Sequence, residues 1–232
     1  MAQPPDISDT FVREVDENLR RDRARDFAKQ YGGWLVGALI LFIAASGAFI
    51  YWQYYQQQRS EHEVEQLAEA FKTIGSGDKA SGTKAIDDLS QSGSKAVRAT
   101  ALFTRAALAL EQNDMKLATA KYRQISEDSG LPKPYRDAGL IRQTALEFDS
   151  LPPQEIVSRL QPLVQRGNPW FGTAGEMTAM ALIKQGKKAE AGRLFANIAK
   201  DPGVPESLRA RSVQIAGSLG VDASGAVAAP AQ

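Results

Sequence analysis

The chain has 232 residues, no cysteine, one histidine, and 28 Lys+Arg against 27 Asp+Glu for a formal net charge of +1. The missing cysteines exclude disulfides, thiolate nucleophiles and cysteine-ligated zinc. The charge balance, which holds on both sides of the uncharged stretch 30–58, leaves no electrostatic basis for sequence-independent nucleic-acid binding.

The first predicted element is an N-terminal arm, residues 1–30. Residues 1–9 are polar, contain Pro4-Pro5 and are expected to be disordered. Asp9 or Thr10 is expected to cap a charged helix over about 11–28, with Phe11, Val15 and Leu19 as a weak apolar stripe.

Residues 31–55 follow as a predicted transmembrane signal-anchor helix. No residue in 30–58 is charged. About 20 helical residues cross a ~30 Å hydrocarbon core. Tyr31 and Trp34 mark one end, and Tyr51, Trp52, Tyr54 and Tyr55 mark the other, as amphipathic rings do at membrane interfaces. A cleaved signal peptide is the competing reading, with Ser46-Gly47-Ala48 as its small residues, but its leading segment would be long and acid-containing. Arg20, Arg21, Arg23, Arg25 and Lys29 precede the span, and only Arg59 follows closely. The Lys/Arg bias therefore keeps the N-terminus in the cytoplasm and puts the rest of the chain on the far side. Gly33/Gly37 and Ala44/Ala48 are small pairs spaced for a transmembrane helix contact.

Residues 56–219 read as an all-α domain, with apolar residues at helical spacing and turn clusters such as "GSGDKASG" and "EDSGLPKP" between them. Nothing between Trp52 and Phe71 breaks a helix, so the membrane helix is expected to run into the first repeat. That repeat is expected to use Val64, Leu67, Ala68 and Phe71, then Ala85, Ile86 and Leu89. Residues 113–136 align with 186–209 at an offset of 73. Ala118 meets Ala191, Tyr122 meets Phe195, Ile125 meets Ile198, Gly130 meets Gly203, and Pro132 meets Pro205. A degraded middle unit places Ile156, Leu160 and Leu163 in the corresponding positions. A small residue for close helix approach, an aromatic one turn later, then Gly to stop and Pro to restart is the logic of the tetratricopeptide repeat. The fold class expected is all-α: one transmembrane helix followed by a tetratricopeptide-like α-solenoid of about three to four helix pairs. Residues 220–232, small and Pro-containing, are expected to be a disordered tail.

The search for chemistry is short. His62 stands among Glu61, Glu63 and Glu65 without a second histidine, so no metal site is expected. Asp87-Asp88 and Glu127-Asp128 read as caps or solvated pairs, and "GSGDKASG" and "QGKK" as turns, since neither matches a phosphate-binding loop. No enzyme, cofactor or small-molecule substrate is expected. The candidate function is a surface: Phe103, Ala107 and Leu110 on one first helix, and Trp170, Phe171, Glu176, Met180 and Ile183 on another, as a partner-binding groove.

This layout, with "GGWLVGALILFIAASGAFIYWQYY" and "ALALEQNDMKLATAKYRQI", resembles the ancillary SecYEG translocon subunit family over nearly the whole chain. The resemblance implies a single-pass bacterial inner-membrane protein with a periplasmic repeat domain, whose partners are Sec translocon subunits and periplasmic chaperones. A scaffold for envelope biogenesis or cell division, and an enzyme with an unrecognised site, stay open as alternatives. A reporter fused after Leu219 is expected to be active only outside the cytoplasm; cytoplasmic activity would reverse the orientation.

Overall fold

The computed structural model describes residues 7–226, with backbone alone for 7–28, 30–32, 35, 56–60 and 226. Every regular element among the described residues is helical. They are α1 (Ile7–Gly75), α2 (Lys79–Leu89), α3 (Lys95–Glu111), α4 (Met115–Glu127), α5 (Lys133–Glu147), α6 (Pro153–Leu160), α7 (Phe171–Lys184), α8 (Lys188–Ala199) and α9 (Glu206–Ser218), with 3-10 turns at Gln161–Leu163 and Ser224–Ala226. The chain divides into two compact units, Met1–Arg59 and Ser60–Gln232.

In the first unit α1 starts at Ile7, so Asp9 and Thr10 lie inside the helix and not at its cap. The expectation for residues 1–6 falls outside the described residues. Val36–Tyr55 is long and apolar enough to cross a membrane, with a mean hydropathy of 1.7 and none of it buried in the protein. Large apolar side chains such as Leu41, Phe42 and Trp52 are turned outward, which water would penalise and hydrocarbon would not.

The second unit is a stack of helix pairs: the end of α1 with α2, α3 with α4, α5 with α6, and α7 with α8, closed by α9. Four linked cores run through it. Leu67 and Ala70 of α1 meet Ile86 of α2 and Val97 of α3. Leu102 and Ala106 of α3 meet Tyr122 and Ile125 of α4. Ile141 of α5 meets Ile156 and Leu160 of α6 and Ala174 of α7. Phe195 and Ile198 of α8 meet Ala179 of α7 and Ala216 of α9. The expected triads of all three second helices are therefore core.

Local chemistry explains why the helices stop and restart where they do. Asp78 and Asp114 cap α2 and α4 by accepting the Ser81 and Leu117 backbone N–H groups at 3.1 and 2.9 Å. Gly77, Asn113 and Gly186 hold the same turn between paired helices with positive φ of 100°, 58° and 78°, a region open to Gly and tolerated by Asn. After α4 and after α8 an Asp carboxylate, Asp128 or Asp201, accepts the N–H of the glycine two residues on at 2.8 Å. Leu131 and Val204 then tuck into the cores, and proline begins the next helix. In the middle pair Pro152-Pro153 replaces the positive-φ turn, and α6 gives way to a 3-10 turn at Pro162.

Two expectations are corrected. The buried stripe of α1 in this unit is Glu63, Leu67 and Ala70, while Val64, Ala68 and Phe71 are exposed. Glu63 is accommodated because the Ser92 hydroxyl donates to its carboxylate. The segment expected as tail from Gly220 also begins as structure. Ala223 is buried and Val221 packs on the α7–α9 core, filling the space over Gly192, where a Cβ would lie 2.6 Å from Val221 Cγ2. Residues 227–232 fall outside the described residues.

A methyl at Gly139 would meet Ile125 Cγ2 at 2.8 Å and the Tyr122 carbonyl oxygen at 3.0 Å. Gly139→Ala is expected to destabilise the domain by about 1–3 kcal/mol in a denaturant melt. Ser212 is fully buried on α9 and its hydroxyl has no hydrogen-bond partner among the described residues. Ser212→Ala is therefore expected to leave stability unchanged or raise it by about 1 kcal/mol in the same melt.

Candidate functional site: a groove on the first helices

The first helices of the pairs carry equivalent positions. Ala70, Ala106, Thr144 and Ala179 are buried to 2% exposure or less. Each is followed by an exposed residue, Phe71, Ala107, Ala145 or Met180. The small residue lets neighbouring helices close on one another, and the next side chain, 100° further around the helix, is left facing out.

Where α5, α7 and α9 come together, this face dips into a groove of about 430 Å³ lined by Ala145, Phe148, Asp149, Glu176, Met177, Met180 and Ile215. Its floor is apolar, and Met180 is 41% exposed. Its acids are already neutralised. Lys184 Nζ lies 2.9 Å from Asp149 and 4.5 Å from the centre of the Phe148 ring. Arg211 reaches Glu176 at 2.8 Å. Pairs this exposed contribute little stability, but they keep side chains of both signs at the rim and out of the apolar floor.

Of the sequence-derived residues, Glu176 and Met180 line this groove, and Ala107 is exposed at the matching place on α3. Phe103 is half-buried, its ring 6.0 Å from that of Tyr122, and Leu110 packs against the same core. Ile183 and Trp170 pack against the cores on either side of α7. Phe171 is a core residue, 4% exposed, because the helix starts there and turns its ring inward. It is not available to a ligand. Phe148, Met177 and Ile215 were not among the expected residues. Carrying the 38-residue offset of the middle unit from Ala107 and Leu110 leads to Ala145 and Phe148, so that signal was present. In the first unit Gly33, Gly37, Ala44 and Ala48 are exposed, and a Cβ at either glycine would meet nothing within 4 Å.

The acids singled out in the sequence have structural partners. Asp87 takes Arg105 at 3.0 Å and Asp128 takes Arg98 at 3.1 Å. His62 sits beside Gln66 and Glu65 on the surface. No group of three His, Cys, Asp or Glu among the described residues could hold a metal ion.

Behind the groove, the irregular middle pair is tied by polar contacts. Glu147, at the end of α5, receives Arg159 of α6 at 2.5 Å and Arg123 of α4 at 3.0 Å, and Gln143 donates to it at 3.0 Å. Burial pushes the Glu147 carboxyl up, but the hydrogen bonds from Arg159 and Gln143 and the charges of Arg159 and Arg123 outweigh it and hold the carboxyl below its ordinary value.

A stack of antiparallel helix pairs with an exposed face along its first helices defines an α-solenoid of the protein-interaction class. Residues 25–201 match the tetratricopeptide repeat-like domain family, and the chain belongs to it. No curated protein and no solved structure matches the chain. Family members of this kind are in general interaction scaffolds, not enzymes.

A carboxyl with a lowered folded-state pKa stabilises the fold above its ordinary pKa, and that contribution is lost as pH falls through the lowered value. The thermal midpoint is therefore expected to drop on acidification from the ordinary carboxylate range downward. Glu147→Gln should be less stable at neutral pH and show a smaller acid-induced drop in the same scan.

Proposed function

We propose that this protein is a single-pass membrane protein that holds a repeat-type interaction domain beside the Sec translocon, assisting polypeptides as they emerge and passing them to periplasmic chaperones. The observation that carries the reading is the presence, on one chain, of the apolar span Val36–Tyr55 and a repeat domain with an apolar groove. An anchor raises the effective concentration of a binding domain at the membrane without adding affinity of its own. The basic residues before the span, Arg20 to Lys29, and their scarcity after it support an N-terminus in the cytoplasm of a bacterial inner membrane and a periplasmic domain. The architecture resembling the ancillary translocon subunits supports the choice of partner. The pair Gly33/Gly37 and the pair Ala44/Ala48, exposed on α1 just before and within the span, suit a close contact with a partner's transmembrane helix.

The reading is tested in membranes by photo-cross-linking from Met180 and from Ala44. Recovery of translocon subunits from Ala44, and of chaperones or emerging chains from Met180, is expected. Recovery of division or envelope-assembly proteins with no translocon component would replace this reading with the scaffold alternative.

A further inference from the structure

The helices of the stack hold one another unevenly. α3 packs broadly on α4 and α4 on α5; α6 packs broadly on α7, α7 on α8 and α8 on α9. Between these two groups contact is slight, and α5 touches α6 and α7 far less than it touches α4. The links differ in the same way. Three residues, 112–114 and 185–187, join the helices of the pairs on either side, whereas five, 148–152, join α5 to α6. Pro152 and Pro153 carry no N–H, so neither can tie that link back to the end of α5.

This seam is hollow on both sides. One side holds the groove of about 430 Å³, with Ala145 and Phe148 of the α5 end facing Met177 and Met180 of α7. The other holds a polar cavity of about 440 Å³, lined by Arg123, Ser126, Glu127, Leu140 and Gln143 before the seam and Arg159 after it. At 100° per residue, Leu140 and Gln143 leave α5 on the order of 140° around from Ala145 and Phe148. Between the two cavities Ile141 of α5 packs on Ile156, Leu160 and Ala174.

We propose that the seam is a hinge, about which the helices from the end of α1 to α5 turn as one body against α6 to α9. The link 148–152 absorbs the backbone rotation and Ile141 is the pivot, as a few residues at an element's end do in hinged proteins. Each cavity takes residues from both bodies, so closing one widens the other. A polar tie limits the motion on each side, and the two ties are unequal. On the groove side Lys184 reaches Asp149 at 2.9 Å, but that carboxylate is 95% exposed and water competes for it. On the polar side Arg159 donates to Glu147 at 2.5 Å, with both side chains under a fifth exposed, and Gln143 donates to the same carboxylate. Of the two guanidiniums on Glu147, Arg159 is the one that crosses the seam; Arg123 belongs to α4 and moves with it. The Glu147–Arg159 bond is therefore the stay that sets the resting angle.

The chain has no cysteine, so introduced cysteine pairs carry spin labels at chosen sites. The full chain in lipid nanodiscs is read by double electron–electron resonance. Gln124→Cys with Arg193→Cys reports across the seam, Glu69→Cys with Gln124→Cys within the first body, and Ser158→Cys with Gln214→Cys within the second; all five residues are exposed. The cross-seam distance distribution is expected to be about twofold broader than either internal one. Arg159→Ala should broaden it about twofold again, with both internal distributions and the helical circular dichroism unchanged. Glu155→Gln removes the partner of Arg159 within α6, at 2.6 Å, and spares the bond across the seam, so it should leave all three distributions as they are. Equal widths for the three pairs, unmoved by Arg159→Ala, would show one rigid rod and overturn the hinge. Broadening of all three by Arg159→Ala would make the bond a general prop of the fold and overturn its role as the stay. If Arg159→Ala does not fold, Arg159→Lys takes its place with the same readings, and the cross-seam width of the otherwise unaltered chain decides the hinge by itself.

Discussion

Close approach of helices at small residues is the constraint on which the rest of this domain depends. Ala70, Ala106, Thr144 and Ala179 on the first helices, and Ala118 and Ala191 on second helices, are all buried. Gly139, Gly172 and Gly175 lie so near neighbouring side chains that a Cβ would collide. At these places backbones come together, and larger residues such as Phe195, Ile125 and Leu160 fill the spaces beside them. No single pair could hide its own apolar face, so each core borrows from the next pair and stability is shared along the stack.

The same constraint creates the surface. At the four equivalent positions of the first helices, the residue that follows the buried small one is turned outward, whether it is Phe71, Ala107, Ala145 or Met180. A residue there is therefore free of the packing demands that govern its neighbour. Phe71 and Met180 stand at such positions, and burying neither serves the fold. Their exposure is informative because a soluble repeat would lose nothing by carrying polar residues there.

The middle pair shows what happens when the rule is relaxed. Pro152-Pro153 and Pro162 shorten α6 and remove the positive-φ turn found in the other pairs. The join is then made by a carboxylate between two guanidiniums, Arg123 and Arg159, in addition to apolar packing by Ile156, Leu160 and Leu163. A polar join of this kind depends on ionisation. The groove itself is lined by α5, α7 and α9, with Phe148 and Asp149 following directly on Glu147.

Much of this was legible in the sequence. Helical class, the apolar span, the three buried triads and the Asp-x-Gly turns are local properties: they depend on spacing within a few residues and on whether a residue is small, aromatic or able to adopt positive φ. The misreadings have one physical cause. Around Leu67 the helix is apolar on two adjacent faces, and periodicity cannot say which of them meets α2. The tertiary structure chose the face bearing Glu63, satisfied by Ser92 from 29 residues away, and left Val64 and Phe71 outside. Phe171 went into the core, Phe148 came to lie half-buried at the groove, and Val221 closed over Gly192, through contacts between elements far apart in the chain. The sequence by itself determined which segments are helices and which residues allow them to approach. Only the tertiary structure decided which apolar faces are consumed by that approach and which remain to bind something else, because burial is a property of neighbours that local spacing does not specify.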